Sequence, residues 1–280
     1  MQHIHGLAHS AARHDTHMRS VSATLERISH FSDPPTPEFM LVGAAGNAFA
    51  TTTEIQVMKP HEDLLSDDKE DWEEAIEDEY QRFQRLNLFQ ARTRATISRH
   101  AKILTSTWAM KKKSNGKYRA RQNMRGYGQI PHVHYRPAWI SAPVTNAVTI
   151  RSMLVLLLMM EGYAHIIDIC SAFLLGVFDS GEDLYAYIPK GWENKYSGDV
   201  ILKLMKTVYW LKQAANCFYR LLVSVMRSLS FQKSLADPCL YHKWDENHGL
   251  MVWTSLYDDL LAIEANKGAV LKEVEDMKKK

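Results

Sequence analysis

From residue 67 onward the apolar positions recur with two different periods, and the switches between them mark the elements. Trp72, Ile76, Tyr80 and Phe83 recur at helical spacing, and Asp67 with Glu70 stands at capping-box spacing before them. A helix is predicted from about Asp67, with its acids on the wet face. Residues 102–129, "KILTSTWAMKKKSNGKYRARQNMRGYGQ", predict a hairpin that turns at Ser114-Asn115-Gly116 between two basic strands. "TNAVTIRSMLVLLLMMEG" predicts a helix closed by Gly162, with the apolar run 153–160 buried. "AHIIDICSAFL" opens as a buried strand, and "DLYAYIPKG" is a second strand ending at Pro189. "LKQAANCFYRLLVSVMRSLSF" predicts a long helix with Phe218, Leu222, Val225 and Leu229 on one face. "CLYHKW" and "LMVWTSLY" are strands that pair across Asp245–Gly249. Strands and helices mix without a regular βαβ alternation, which predicts an α+β fold.

Residues 1–66 lack a sustained period and read as a poorly ordered linker. Five histidines there (His3, His5, His9, His14, His17) are irregularly spaced with no cysteine near, the pattern of a solvated tail rather than a metal site. The net charge of +2 is uninformative, but its distribution is not. Residues 62–80 hold eleven acids and one base, whereas residues 111–125 hold seven bases and no acid. Cys170, Cys217 and Cys239 are far apart, which excludes a disulfide scaffold or zinc ribbon and fits a reduced, intracellular compartment. No signal peptide is visible, and "MLVLLLMM" is too short to cross a bilayer.

Asp258 and Asp259 interrupt the apolar run "LMVWTSLYDDLLAIEA", and Asp168 stands in "HIIDIC". One aspartate of this kind is ordinarily satisfied by backbone donors, and an Asp-Asp pair is common in solvated turns. Three carboxylates in apolar settings together fit a site for divalent cations, because Mg²⁺ takes oxygen ligands and offsets the charge. Adjacent side chains on a strand point to opposite faces, so the Asp pair serves one site only if the backbone turns there. Metals held this way run in-line phosphoryl transfer, and the basic hairpin suits a triphosphate or nucleic-acid backbone.

Six segments, in order, resemble the reverse transcriptase of copia-type LTR retrotransposons. These are "KYRARQNMRGYGQ", "SAPVTNAVTIRSML", "DICSAFLLG", "VILKLMKTVYWLKQAANCFYRLL", "ADPCLYHKW" and "LYDD". The resemblance implies a right-hand polymerase over residues 67–280, with fingers and a ferredoxin-like palm, synthesising DNA on an RNA or DNA template-primer from deoxynucleoside triphosphates. It implies two Mg²⁺ ions, replaceable by Mn²⁺, on Asp168, Asp258 and Asp259. Ile169 would add a backbone carbonyl. Phe173 would sit under the incoming sugar, Gln213 would line the nucleotide pocket, and Lys117, Arg119 and Arg121 are candidates for the triphosphate. No membrane is expected. The other polyprotein parts, integrase and RNase H, are expected partners, in the cytoplasm within a virus-like particle.

Two residues depart from the family pattern. The aromatic before the aspartates, Tyr257, is one place late, which on a strand would put it on the opposite face. Trp210 replaces a family glycine, and a positive φ there would strain it. The chain ends 21 residues after Asp259, which suggests a truncated piece of a polyprotein. A decayed remnant that keeps the fold and at most binds nucleic acid is the alternative. A phosphotransfer or metal-hydrolase domain is a third reading, but it explains neither "LKQAA" nor the basic hairpin.

Overall fold

Helices and largely antiparallel sheets are sorted into two units. The computed structural model describes residues 68–179 and 183–279. Of these, 68–142 with 171–222 form one unit, and 143–170 with 223–279 the other. In chain order the elements are α1 (Lys69–Arg85), β1 (Phe89–Thr93), β2 (Ile103–Leu104), β3 (Ser106–Lys112), β4 (Tyr118–Met124), α2 (Ala147–Met159), β5 (Tyr163–Asp168), β6 (Leu184–Ala186), β7 (Val200–Leu204), α3 (Ala214–Ser228), β8 (Gln232–Lys233), β9 (Leu240–Asp245), β10 (Gly249–Leu256), β11 (Asp259–Glu264) and α4 (Ala269–Lys278). Asp67, the N-terminal histidines and the expected linker lie outside the described residues. Among those described, no helix is long and apolar enough to cross a membrane.

In the first unit, Trp72, Ile76 and Phe83 of α1 are buried and Tyr80 half-buried, so the predicted stripe is the packing face. They meet Trp192, fully buried, whose ring takes Tyr80, Phe83 and Trp108 edge-on at 5.2, 5.4 and 5.5 Å between centroids. The β3–β4 hairpin pairs from Ser106–Met124 to Lys112–Tyr118, and Gly116 at φ 80° makes its turn. A four-stranded sheet runs in the order β1-β7-β6-β2, with β2 and β6 the one parallel strand pair among the described residues.

The second unit is a five-stranded antiparallel sheet, β5-β11-β10-β9-β8. Met153, Leu154 and Leu157 of α2 pack against Val252, Leu261 and Ile263 on one of its faces. Three sequence expectations change here. The run 153–160 is not wholly buried: Val155 and Leu158 are exposed, and Met159 is 78% exposed. Eight successive apolar residues cover every side of a helix, and one sheet can cover only one stripe. Nor is β5 a buried strand. It is the sheet edge, with a single neighbour, and Ile166 is 40% exposed. Finally, Gly162 does not supply the left-handed residue that ends α2. Glu161 does, at φ 49°, while the Gly162 N–H donates to the Leu157 carbonyl and the Glu161 N–H to the Leu158 carbonyl. That is a Schellman ending one residue earlier than expected. Gly162 is required for a different reason: a Cβ there would meet the Glu264 carbonyl oxygen at 2.4 Å.

Candidate active site

The ends of β5 and β11 create the site. Asp168 and Asp259 are direct cross-strand partners. The Ile169 N–H donates to the Asp258 carbonyl at 3.1 Å, so the Asp168–Asp259 pair is a non-hydrogen-bonded one. In such pairs the Cα atoms approach to about 4.5 Å and both side chains leave the same face. Leu256 pairs with Asp259, so Tyr257 and Asp258 form a two-residue loop. Strand alternation stops in that loop, which frees Asp258 from the opposite-face rule. The backbone thus brings all three aspartates to one end of one sheet, and the turn expected between the two strands is present.

Their surroundings differ from the expectation. Asp168 is exposed, and Asp258 and Asp259 are half-buried. A hairpin tip and a strand end lie at the margin of the apolar run, so the flanking apolar residues are buried without burying the aspartates. Among the described residues, no group of three or more His, Cys, Asp and Glu side chains is gathered to hold a metal ion. The donors are nonetheless right in kind: hard carboxylate oxygens suit Mg²⁺. Two carboxylates directly opposed also repel one another, a cost that a shared cation removes.

The other expected residues lie in the first unit. Phe173 is half-buried and meets Phe218 edge-on at 6.1 Å, and its carbonyl accepts from the Thr207 hydroxyl at 2.7 Å. Gln213 is buried, with its amide engaged inside the protein. It accepts from Gln129 Nε2 at 2.8 Å and donates to the His134 carbonyl at 2.9 Å. Lys117 is exposed beside the hairpin turn. Arg119 and Arg121 lie two apart on β4, and the Arg121 guanidinium stands over the Tyr209 ring at 5.3 Å. Burial, then the neighbouring Arg121 charge, lowers the pKa of Arg119.

A family model described as reverse transcriptase (RNA-dependent DNA polymerase) matches residues 93–280. The chain belongs to this reverse transcriptase family. It is 30% identical over 181 residues, 63% of the chain, to the retrovirus-related Pol polyprotein from transposon TNT 1-94 of Nicotiana tabacum, covering 13% of that polyprotein. It is 28% and 27% identical to those from transposons RE1 and RE2 of Arabidopsis thaliana, covering 63% and 62% of the chain and 12% of each polyprotein. The chain therefore spans about an eighth of these relatives' length, and it carries the reverse transcriptase domain of a copia-type element.

Two features of this chain escaped sequence reasoning. Asp237, in the "ADPCLY" segment, is buried and secures the start of α2. One carboxylate oxygen accepts from the Asn146 N–H at 2.9 Å and the Thr149 hydroxyl at 2.6 Å, and the other from the Cys239 N–H at 2.9 Å. Burial alone would raise its pKa, but these hydrogen bonds outweigh it and hold the carboxyl below its usual value. Next to it, the Thr145 hydroxyl bonds Thr254 Oγ1 at 2.8 Å and the Ser255 carbonyl, which ties the end of β10 to the start of α2. Only the Asp-Pro pair before an apolar strand hinted at Asp237. The two family departures also take definite form. Trp210 does have a positive φ, 72°. Tyr257 is not on a strand at all: it is the first loop residue, at φ 59° and 59% exposed.

Proposed function

We propose that this chain is the fingers-and-palm part of an RNA-directed DNA polymerase, with the five-stranded unit as palm and the unit carrying the basic hairpin as fingers. The single observation carrying this reading is the face-to-face pairing of Asp168 with Asp259 beside Asp258, in a chain of the reverse transcriptase family. Asp168, Asp258 and Asp259 would hold two Mg²⁺ ions, or Mn²⁺, with the Ile169 carbonyl as a further oxygen. Such ions would supply Lewis-acid activation of the attacking oxygen and charge stabilisation on the leaving phosphate. The chain's own residues do the rest. Lys117, Arg119 and Arg121 bind the triphosphate, and the Phe173 ring excludes a 2′-hydroxyl. Gln213 holds the pocket wall through Gln129 and His134. Template-primer and deoxynucleoside triphosphates are the substrates. Integrase and RNase H of the same polyprotein are the partners, inside a cytoplasmic particle.

The second reading, a decayed remnant that binds nucleic acid, is favoured by Trp210 and Tyr257, bulky residues at positive φ. Primer extension with Mg²⁺ or Mn²⁺ separates the two. The polymerase reading expects extension that Asp168→Asn, Asp258→Asn and Asp259→Asn each abolish. Extension unaffected by all three would sink the aspartate site, and no extension with intact oligonucleotide binding would establish the remnant.

A further inference from the structure

Trp210 is an outlier in two respects. Its φ of 72° is a left-handed conformation that strains any residue with a side chain, and the residue is 53% exposed. Core packing does not account for a residue that is both strained and exposed. Tyr127, on the neighbouring segment, is 78% exposed.

The backbones beneath both rings are locked together. The Met124 N–H donates to the Tyr209 carbonyl at 3.0 Å, and the Lys212 N–H to Gln129 Oε1 at 2.9 Å. Gln129 Nε2 donates to Gln213 Oε1 at 2.8 Å. The segments approach so closely that a Cβ on Gly126 would meet the Trp210 carbonyl oxygen at 2.0 Å. The two aromatic residues are thus displayed from one rigid piece of backbone, which lowers the entropy cost of binding.

The two segments themselves carry one sign of charge. Residues 111–136 and 203–220 contain no Asp or Glu, and of the acids that reach them from other elements, Asp68, Glu79 and Asp179 meet Lys112, Gln122 and Arg220. Arg125 and Lys212 are exposed on the two locked segments, and Lys212 reaches the Tyr135 hydroxyl at 3.1 Å. Exposed rings and cations on segments that carry no acid complement a polyanion that offers flat faces. In a duplex those faces are stacked on one another, so the fitting partner is an unpaired strand.

We propose that Trp210 and Tyr127 form a stacking platform for unpaired bases of a nucleic-acid strand, with Arg125 and Lys212 engaging its phosphates. The platform rests on the polymerase reading only for the natural strand, which is then the unpaired template. Trp210→Gly is an unusually clean probe, because glycine is the residue that φ 72° favours. The assay is fluorescence anisotropy of labelled oligo(dT), and of a blunt duplex, over a salt series, with thermal melting of each variant. Trp210→Gly should melt no lower than the parent and bind oligo(dT) roughly ten-fold more weakly, with duplex binding unchanged. Trp210→Phe should keep most of the affinity. Arg125→Ala with Lys212→Ala should flatten the salt slope, by about 0.7 per lost phosphate contact on a single strand. The proposal is overturned if Trp210→Gly binds oligo(dT) within two-fold of the parent, if it loses duplex and single-strand binding equally, or if the parent binds no oligonucleotide. Primer extension is read separately, on Asp168→Asn. Lost extension with intact oligo(dT) binding leaves the platform standing, and unchanged binding by Trp210→Gly leaves the polymerase reading standing.

Discussion

Replacing Asp168 by Asn removes one of two carboxylates that oppose each other across the β5–β11 ladder while keeping size and shape. Like charges directly opposite destabilise a sheet by about 0.2–1 kcal/mol, and the exposure of Asp168 puts the effect in the lower half of that range. At about 2–4 °C per kcal/mol for a fold of this size, Asp168→Asn should melt roughly 0.5–2 °C above the parent in EDTA. Magnesium should reverse the order. An ion bound only by the folded chain adds about 1.4 kcal/mol at ten times its Kd, or roughly 3–6 °C, and the variant forfeits that gain. The assay is thermal melting in EDTA and in MgCl₂, with KCl matching the ionic strength so that screening is held constant. The crossing of the two curves is the signature of a cation between the carboxylates. A variant less stable than the parent in EDTA, or one that gains as much from magnesium, would refute the reasoning.

Glu79 should make stability fall as pH rises. Its carboxylate is buried; Oε1 accepts from the Gln122 N–H at 3.2 Å and Oε2 lies 3.4 Å from Arg82, yet burial dominates and raises its pKa. The folded state then holds this proton more tightly than the unfolded chain, so the penalty is absent below the ordinary carboxylate value and grows through the raised one. Glu79→Gln should match the parent at pH 4 and exceed it at pH 7 in denaturant melts; an equal difference at both values would refute this. Glu161→Gly should stabilise by up to about 1 kcal/mol through relief of the left-handed residue, whereas Gly162→Ala should destabilise by more, since its Cβ would strike the Glu264 backbone; urea midpoints read both. Phe173→Ala should relax discrimination between deoxynucleotides and ribonucleotides in single-turnover incorporation, and unchanged discrimination would make Phe173 a packing residue only.

What the sequence disclosed follows from what its periodicity encodes. The α1 stripe, the β3–β4 hairpin and the β9–β10 pairing were legible because each is a local pattern with its own turn signal. The turn at Asp258–Asp259 was legible too, because adjacent aspartates that serve one site need one, and Leu256 does pair with Asp259 across it. Exposure was not. "HIIDIC" reads as buried because a continuous apolar run is the mark of a strand covered on both faces, yet β5 lies at a sheet edge, and position within a sheet is set by distant pairings. "MLVLLLMM" misleads for the same reason. Asp237 stayed hidden because its partners, Asn146 and Thr149, are about ninety positions away in the chain. Trp192 leaves no periodic trace at all, since it sits in a loop and only the assembled core shows its importance.

The hairpin that presents Asp258 and Asp259 is held by its ladder and not by its turn. With positive φ at Tyr257 alone, the loop has the pattern of a type II′ turn, whose first position favours glycine. A tyrosine there works against the turn. Six successive pairs, from Met251–Glu264 to Leu256–Asp259, work for the register, and β5 adds six more on the other side of β11. A slip of one residue would move Asp259 to the opposite face from Asp168. It would also withdraw the Glu264 carboxylate, which is fully buried and accepts from the Gly268 N–H at 3.0 Å and the Val270 N–H at 2.7 Å at the start of α4. The carboxylate at one end of β11 that anchors a helix therefore fixes the register of the carboxylate at the other end. In that arrangement a strained turn can be tolerated without displacing the aspartates, so Tyr257 by itself is no argument that the site has been lost.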